Sequence, residues 1–138
     1  MSIVYRTDKD LPCDQLVVLF SAVGWSDETV EMTPQMFKNF NIPFIHSTLV
    51  FSAWNEDKMV GCVRVLSDTM FRSIIYDLAV LPEYQNQGIG SELINKCIET
   101  YPNSEWSLET IPERVSFYEK LGFEINKSPV LKIPFKLF

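Results

Sequence analysis

Histidine is all but missing from this 138-residue chain, which holds His46 alone, and its three cysteines form no C-x-x-C pair. Cys13, Cys62 and Cys97 are an odd number at wide spacing, which argues against a disulfide framework. No Cys/His cluster has zinc-ligand spacing, so no metal site is expected. Basic residues are outnumbered, 12 Lys and Arg against 18 Asp and Glu, and no basic run stands out. A face that neutralises nucleic-acid phosphates is therefore not expected. The longest apolar runs, such as Leu16 to Phe20, are far too short to span a bilayer, so no membrane partner is expected. The opening MSIVYRTDKD has no basic segment followed by an apolar one, so no secretory signal is expected and the cytoplasm is the expected compartment.

What is present is an ordinary globular balance, with 46% hydrophobic and 22% charged residues. The length suits one domain over 1–138. Ile3 to Tyr5 reads as a first strand. CDQLVVLFSAVGW carries Leu16, Leu19, Phe20 and Val23 at helical spacing, with Gly24 as a stop. GWSDETVEM reads as a polar loop, and Thr33-Pro34 as an N-cap and first-turn proline opening a short helix through Phe40. Thr48–Trp54 and Met59–Leu66 then form a hairpin around Asn55 to Lys58, and Phe71–Val80 is a third strand. Ser91–Tyr101 puts Leu93, Ile94, Cys97, Ile98 and Tyr101 on one helical face. Glu105–Thr110 is a short strand, Pro112–Leu121 a helix ended by Gly122, and the tail alternates enough for one or two last strands. The order implies an α/β or α+β fold on a single sheet of mixed direction.

The junction LPEYQNQGIGSELI passes from a strand to a helix through Gly88 and Gly90. A P-loop needs Lys after its second glycine, and none follows. A dinucleotide fingerprint needs a third glycine where Leu93 stands, and an antiparallel meander precedes the motif. Two readings stay open on the glycines alone: a plain strand-to-helix turn, or a cradle whose N–H groups face a pyrophosphate at a helix start.

DLAVLPEYQNQGIGSELI resembles motif A of the GNAT acyltransferases, with its R/Q-x-x-G-x-G/A core, and VSFYEKLGFE resembles the same family's later F-Y…L-G-F signature. The two stand in the family's order, and the likeness covers the chain from about Val50 onward. The resemblance implies a mostly antiparallel, splayed sheet flanked by about four helices, with acetyl-CoA in the split and no metal. By the same resemblance, Leu78, Ala79 and Val80 would run beside the pantetheine arm, with backbone groups of Leu78 and Val80 pairing to it. Gln85, Asn86, Gln87, Gly88, Ile89, Gly90 and Ser91 would hold the pyrophosphate. Gln85 and Gln87 stand where the family usually has basic side chains.

Acetyl transfer to an amine needs a base, an oxyanion donor and a proton for the leaving thiolate. Tyr118 matches the family's tyrosine near the cofactor sulfur. Glu109 holds the spacing of a carboxylate proposed as base in the glucosamine-6-phosphate acetyltransferase branch. Asp77, in an otherwise apolar strand, is its rival, and ordered water can replace both. Ile111 stands where the family often has Asn. Trp25, Phe37, Phe40, His46 and Arg64 are candidates for the acceptor pocket, with Arg64 free to pair with Asp68 or another acid. These features imply an N-acetyltransferase that transfers acetyl from acetyl-CoA to a small-molecule or peptide amine by direct attack in a ternary complex. A homodimer is one assembly open to it. The alternatives are an acyl-CoA-binding sensor without catalysis, or a domain that uses QNQGIG for another phosphate.

Overall fold

The computed structural model describes residues 2–25 and 32–136, so most of the expected polar loop after Gly24 lies outside the described residues. The chain forms two compact units, Met1–Leu108 and Glu109–Phe138.

The first unit holds a five-stranded sheet in the order β1 (Val4–Arg6), β2 (Leu49–Asn55), β3 (Lys58–Ser67), β4 (Arg72–Val80) and β5 (Glu105–Ser107). Neighbours are antiparallel except β4 and β5, which run parallel. The central strand β3 is buried over five consecutive residues, Met59 to Val63. Successive side chains point to opposite faces, so both faces of β3 must be covered. Helix α1 (Cys13–Ala22), with Leu16 and Leu19 fully buried, and helix α4 (Ile89–Thr100), with Leu93, Ile94 and Cys97 fully buried, both pack on it. Each such aliphatic side chain removed from water contributes about 1.5–3 kcal/mol before chain entropy is charged against it.

Polar side chains fix where these helices sit. Gln15 on α1 donates from Nε2 to the Asp57 carbonyl (3.1 Å) and accepts the Met59 N–H (2.7 Å), which ties the helix to the β2–β3 turn. Short helices α2 (Pro34–Lys38) and α3 (Ile42–Ile45) follow. Thr33 caps α2 by accepting the Met36 N–H at 3.1 Å, as its place before Pro34 predicts. The buried Asn41 amide donates to Asp10 Oδ1 (2.8 Å) and to the Leu11 carbonyl (2.9 Å), fastening the α2–α3 corner to the chain entering α1. Between β3 and β4, Asp68 Oδ1 accepts the N–H groups of Met70, Phe71 and Arg72. These bonds hold its carboxyl below the ordinary aspartate value, so this support is present at neutral pH and is lost as pH falls through the lowered value.

The second unit contains a 3-10 turn at Pro112–Arg114 and helix α5 (Val115–Glu119), followed by Gly122 in a left-handed conformation. Helix, turn and glycine stop agree with the sequence reading. The expected terminal strands do not form: residues 123–136 have no strand pairing. Alternation makes a strand only where a sheet edge accepts it, and Pro129 and Pro134 withhold two donors. Leu131, Ile133 and Phe135 stay at least 86% exposed.

Gly61 sits where β3 is closely faced by both β4 and α4. A Cβ there would stand 3.1 Å from the Ala79 carbonyl and 3.4 Å from Leu93 Cδ1. Backbone cannot swing aside as a side-chain tip can. Gly61→Ala is expected to cost about 1–3 kcal/mol by overpacking, read as a lowered Tm in thermal unfolding.

Candidate active site

Strand β4 does not keep company with one neighbour along its whole length. Its parallel pairing with β5 covers only Arg72, Ser73 and Ile74. From Ile75 to Val80 no strand pairs with that edge among the described residues. Toward β3 the ladder is also interrupted. Cys62 faces Ala79 and Arg64 faces Tyr76, so Asp77 and Leu78 together oppose the single residue Val63. This is a β-bulge, and Asp77 takes the left-handed conformation (φ 55°) that such a position asks for and that Asp tolerates better than most residues. The bulge also resets which face each side chain takes. Burial alternates up to Tyr76, then Ala79 and Val80 are buried in succession.

Arg64 answers for the charge that the sequence places inside β4. Its Nε donates to Asp77 Oδ2, and the guanidinium lies over the rings of Tyr76 (5.0 Å) and Phe44 (6.0 Å). The expected choice for Arg64 between Asp68 and another acid is settled for Asp77, because Asp68 is spent on its turn. Both side chains of the pair are under a third exposed.

Beyond β4 the chain makes a 3-10 turn at Pro82–Tyr84 and enters the Gln85–Ser91 segment. The turn is anchored from outside, since Asn55 Nδ2 donates to the Tyr84 hydroxyl (2.9 Å) and Lys58 reaches both Glu83 and the Tyr84 ring. Asn86 (φ 62°) and Gly88 (φ 85°) are both left-handed, two residues apart. Helix α4 starts at Ile89, two residues earlier than its apolar face suggests. Its first N–H to meet a backbone acceptor is that of Glu92, on the Gly88 carbonyl at 3.0 Å. The N–H groups of Ile89, Gly90 and Ser91 are thus left at a helix N-terminus, where the dipole favours an anion.

Each glutamine amide also makes a contact inside the loop. Gln85 Nε2 donates to the Val80 carbonyl (2.9 Å) and Gln87 Nε2 to the Glu83 carbonyl (3.2 Å). Both contacts brace the loop, and the N–H groups left free at the helix start are backbone ones. Gln85 also occupies the carbonyl of one of the two residues expected to pair with a pantetheine arm, while Leu78 stands free of that tie. The short side chain that suits Gly88 follows from its φ alone, since a Cβ would meet nothing within 4 Å.

Helices α1, α2 and α3 and strand β4 line an open cavity of about 380 Å³, with Gln35, Asn39 and Pro43 at its exposed rim. Phe20, Met36, Phe40, Pro43 and Phe44 supply its apolar wall, and Asp77 is its ionisable residue. Of the expected acceptor-pocket residues, Phe40 lines it. Arg64 acts through Asp77, and Trp25 stacks on Phe20 (5.1 Å) while half exposed. Phe37 and His46 are exposed and do not line it. Phe20, Met36 and Phe44 had no local signal of their own, because helical periodicity marks them only as apolar.

In the second unit, Tyr118 sits on α5 with its ring edge-on to Phe117 (4.9 Å) and Phe123 (5.8 Å). Burial pushes its phenol above the usual tyrosine value, with Arg114 pulling weakly the other way. Its proton is therefore held firmly at neutral pH. Glu109 lies past the end of β5 rather than within it, exposed and paired with Lys132 Nζ at 3.1 Å. Burial likewise keeps the thiols of Cys62 and Cys97 protonated, Cys97 pushed up to about 12, so neither is a ready nucleophile. No His/Cys/Asp/Glu cluster could hold a metal, and no helix is long and apolar enough to cross a membrane, among the described residues.

The sheet thus opens beside a bulged strand that leads through a short turn to a helix start with free N–H groups. The model of the acetyltransferase (GNAT) domain matches residues 46–125, and the chain belongs to that family. It is 31% identical to an uncharacterized N-acetyltransferase, ycf52, of Pyropia yezoensis, over 88% of this chain and 70% of that protein. To the histone acetyltransferase TAP1 of Glycine max it is 33% identical, over 90% of this chain but only 57% of that one. Among solved structures, a GNAT-family acetyltransferase from Streptococcus pneumoniae TIGR4 superposes with a TM-score of 0.78 at 27% identity, covering 98% of this chain and 100% of that one.

Gly88→Ala is expected to destabilise the fold by about 1–2 kcal/mol, because its φ penalises a Cβ even in open space. Gly88→Asn should lose less, since Asn visits the left-handed region more readily, and paired Tm measurements on the two variants check the order.

Proposed function

We propose that this chain is an acetyl-CoA-dependent N-acetyltransferase that moves the acetyl group to the primary amine of a small molecule or peptide, in the cytoplasm. The observation that carries this reading is the run of β4 past Ile74, unpaired on one side and leading straight into the Asn86–Ser91 cradle. An extended pantetheine arm can add to such an edge as a strand would, and a pyrophosphate suits free N–H groups at a helix start. On this reading Leu78, Ala79 and Val80 flank the arm, and Gln85 to Ser91 hold the pyrophosphate chiefly through backbone groups.

Acetyl-CoA supplies an activated acyl carbon: the neutral amine attacks it, the C–S bond breaks, and CoA leaves as its thiol. The protein's part is proton traffic and placement. Tyr118 is assigned the proton delivered to the departing sulfur, a role that a phenol held above its ordinary value can fill without ionising first. The amine's proton passes to Asp77, to Glu109 or to water. The attack is assigned as direct, and the two buried thiols, held protonated, offer no covalent alternative.

The test is calorimetric CoA binding followed by thiol release against an amine panel. Tyr118→Phe should bind CoA as the parent does and release thiol roughly 100-fold more slowly. Full activity in that variant would remove Tyr118 as the acid. The pH profile has a stated sign as well. The acid form persists past the ordinary tyrosine value of ~10, so no fall in rate attributable to Tyr118 is expected between about pH 7 and 9.5.

A further inference from the structure

The cavity beside the bulge carries more information than its size. We propose that it is a subsite for a primary ammonium borne on a compact, uncharged, apolar body, with Asp77 as the anchor for the ammonium and Arg64 as the residue that positions Asp77. This deepens the acetyltransferase reading and rests on it for the identity of the second substrate.

At about 380 Å³ the cavity lies at the small end of ligand pockets, which run roughly 300–1,000 Å³. Five of its eight lining residues are Phe, Met or Pro, and Phe20 meets Phe40 and Phe44 ring to ring at 5.5 and 6.1 Å. The other two besides Asp77 are the amides Gln35 and Asn39, so the lining suits an apolar body and offers a second charge no group of opposite sign. Asp77 is the one ionisable residue among those lining it. Its Oδ2 is taken by Arg64, while Oδ1 has no hydrogen-bond partner among the described residues. A carboxylate offers about four lone-pair sites, so it can hold a second cation beside the first.

Arg64 does not line the cavity. Its guanidinium lies near the Tyr76 and Phe44 rings and donates from Nε to Asp77, which orients the carboxylate. The strained φ of Asp77 adds a second, independent sign. Left-handed backbone at a non-glycine residue costs of order 1–3 kcal/mol and persists where surrounding contacts enforce it, commonly at working sites. Here the strain sets the cavity's carboxylate on the residue next to Leu78. The charged wall of the cavity and the strand assigned to the pantetheine arm therefore meet at one point of the backbone.

The experiment measures 2-phenylethylamine binding by calorimetry, with and without CoA, so that no acetyl group is present and binding is read apart from chemistry. The parent should bind this probe, and Asp77→Asn, which keeps an oxygen for Arg64 and tolerates the left-handed backbone, should weaken it about tenfold or more with at most a small change in CoA affinity. Phe40→Ala should weaken the probe too, through the body and not the charge. Glucosamine 6-phosphate, an amine with an anionic group, should bind at least tenfold more weakly than the probe. A tripeptide beginning with phenylalanine, run alongside, distinguishes a free amine from a chain start as the source of the same chemistry. Equal probe affinity in the parent and Asp77→Asn would overturn the proposal, as would preference for the sugar phosphate. If Asp77→Asn does not fold, undiminished affinity in Phe40→Ala overturns it instead. Absence of CoA binding in the parent sinks the acetyltransferase reading, while the amine's dependence on Asp77 still judges the subsite.

Discussion

The ion pair between Arg64 and Asp77, thrown across a bulge in the middle of the sheet, is the interaction on which the site's arrangement rests. A carboxylate in an apolar strand is costly unless it is answered, and an extra residue in β4 is costly unless something holds it. The pair meets both needs. It satisfies the charge and pins the left-handed backbone that accommodates the additional residue. Both side chains are under a third exposed, so the interaction belongs between a surface pair, worth little, and a fully buried one, whose breakage is severe.

From that point the geometry of the rest follows. The bulge bends and twists β4. Past Ile74 the parallel neighbour is gone, and the strand delivers the chain to a loop braced by Gln85, Gln87 and Tyr84. Two left-handed residues then set the start of α4, whose first N–H groups have no carbonyl to meet. The negative overall charge does not forbid an anion there, because the backbone donors act at contact distance while the net charge is screened beyond about 8 Å.

Much of this was legible in the chain. The hairpin β2–β3, the strand β4, the cap at Thr33 and the buried face of α4 all carry local signals that the fold keeps. The QNQGIG segment and FYEKLGF together pointed to the family that the domain model matches. Three things were misread or unreadable, each for a physical reason. The terminal segment alternates like a strand, but a strand needs an edge to join. That Gln85 and Gln87 each place one N–H on a carbonyl of their own segment could not be read, because it depends on how the loop folds back on itself. The aromatic wall of the cavity comes from α1, α2 and α3 meeting β4, and no spacing in the sequence encodes which apolar residues turn inward there.

The sequence by itself determined the elements, their order and the family, because periodicity, caps and glycine positions are local properties written into consecutive residues. Only the tertiary structure decided that Asp77 sits in a left-handed bulge, that Arg64 pairs with Asp77 and not with the turn residue Asp68, and that the carboxylate lines a largely apolar cavity. Those outcomes depend on which distant side chains arrive at the same place, and proximity of that kind is settled by packing rather than by any stretch of chain.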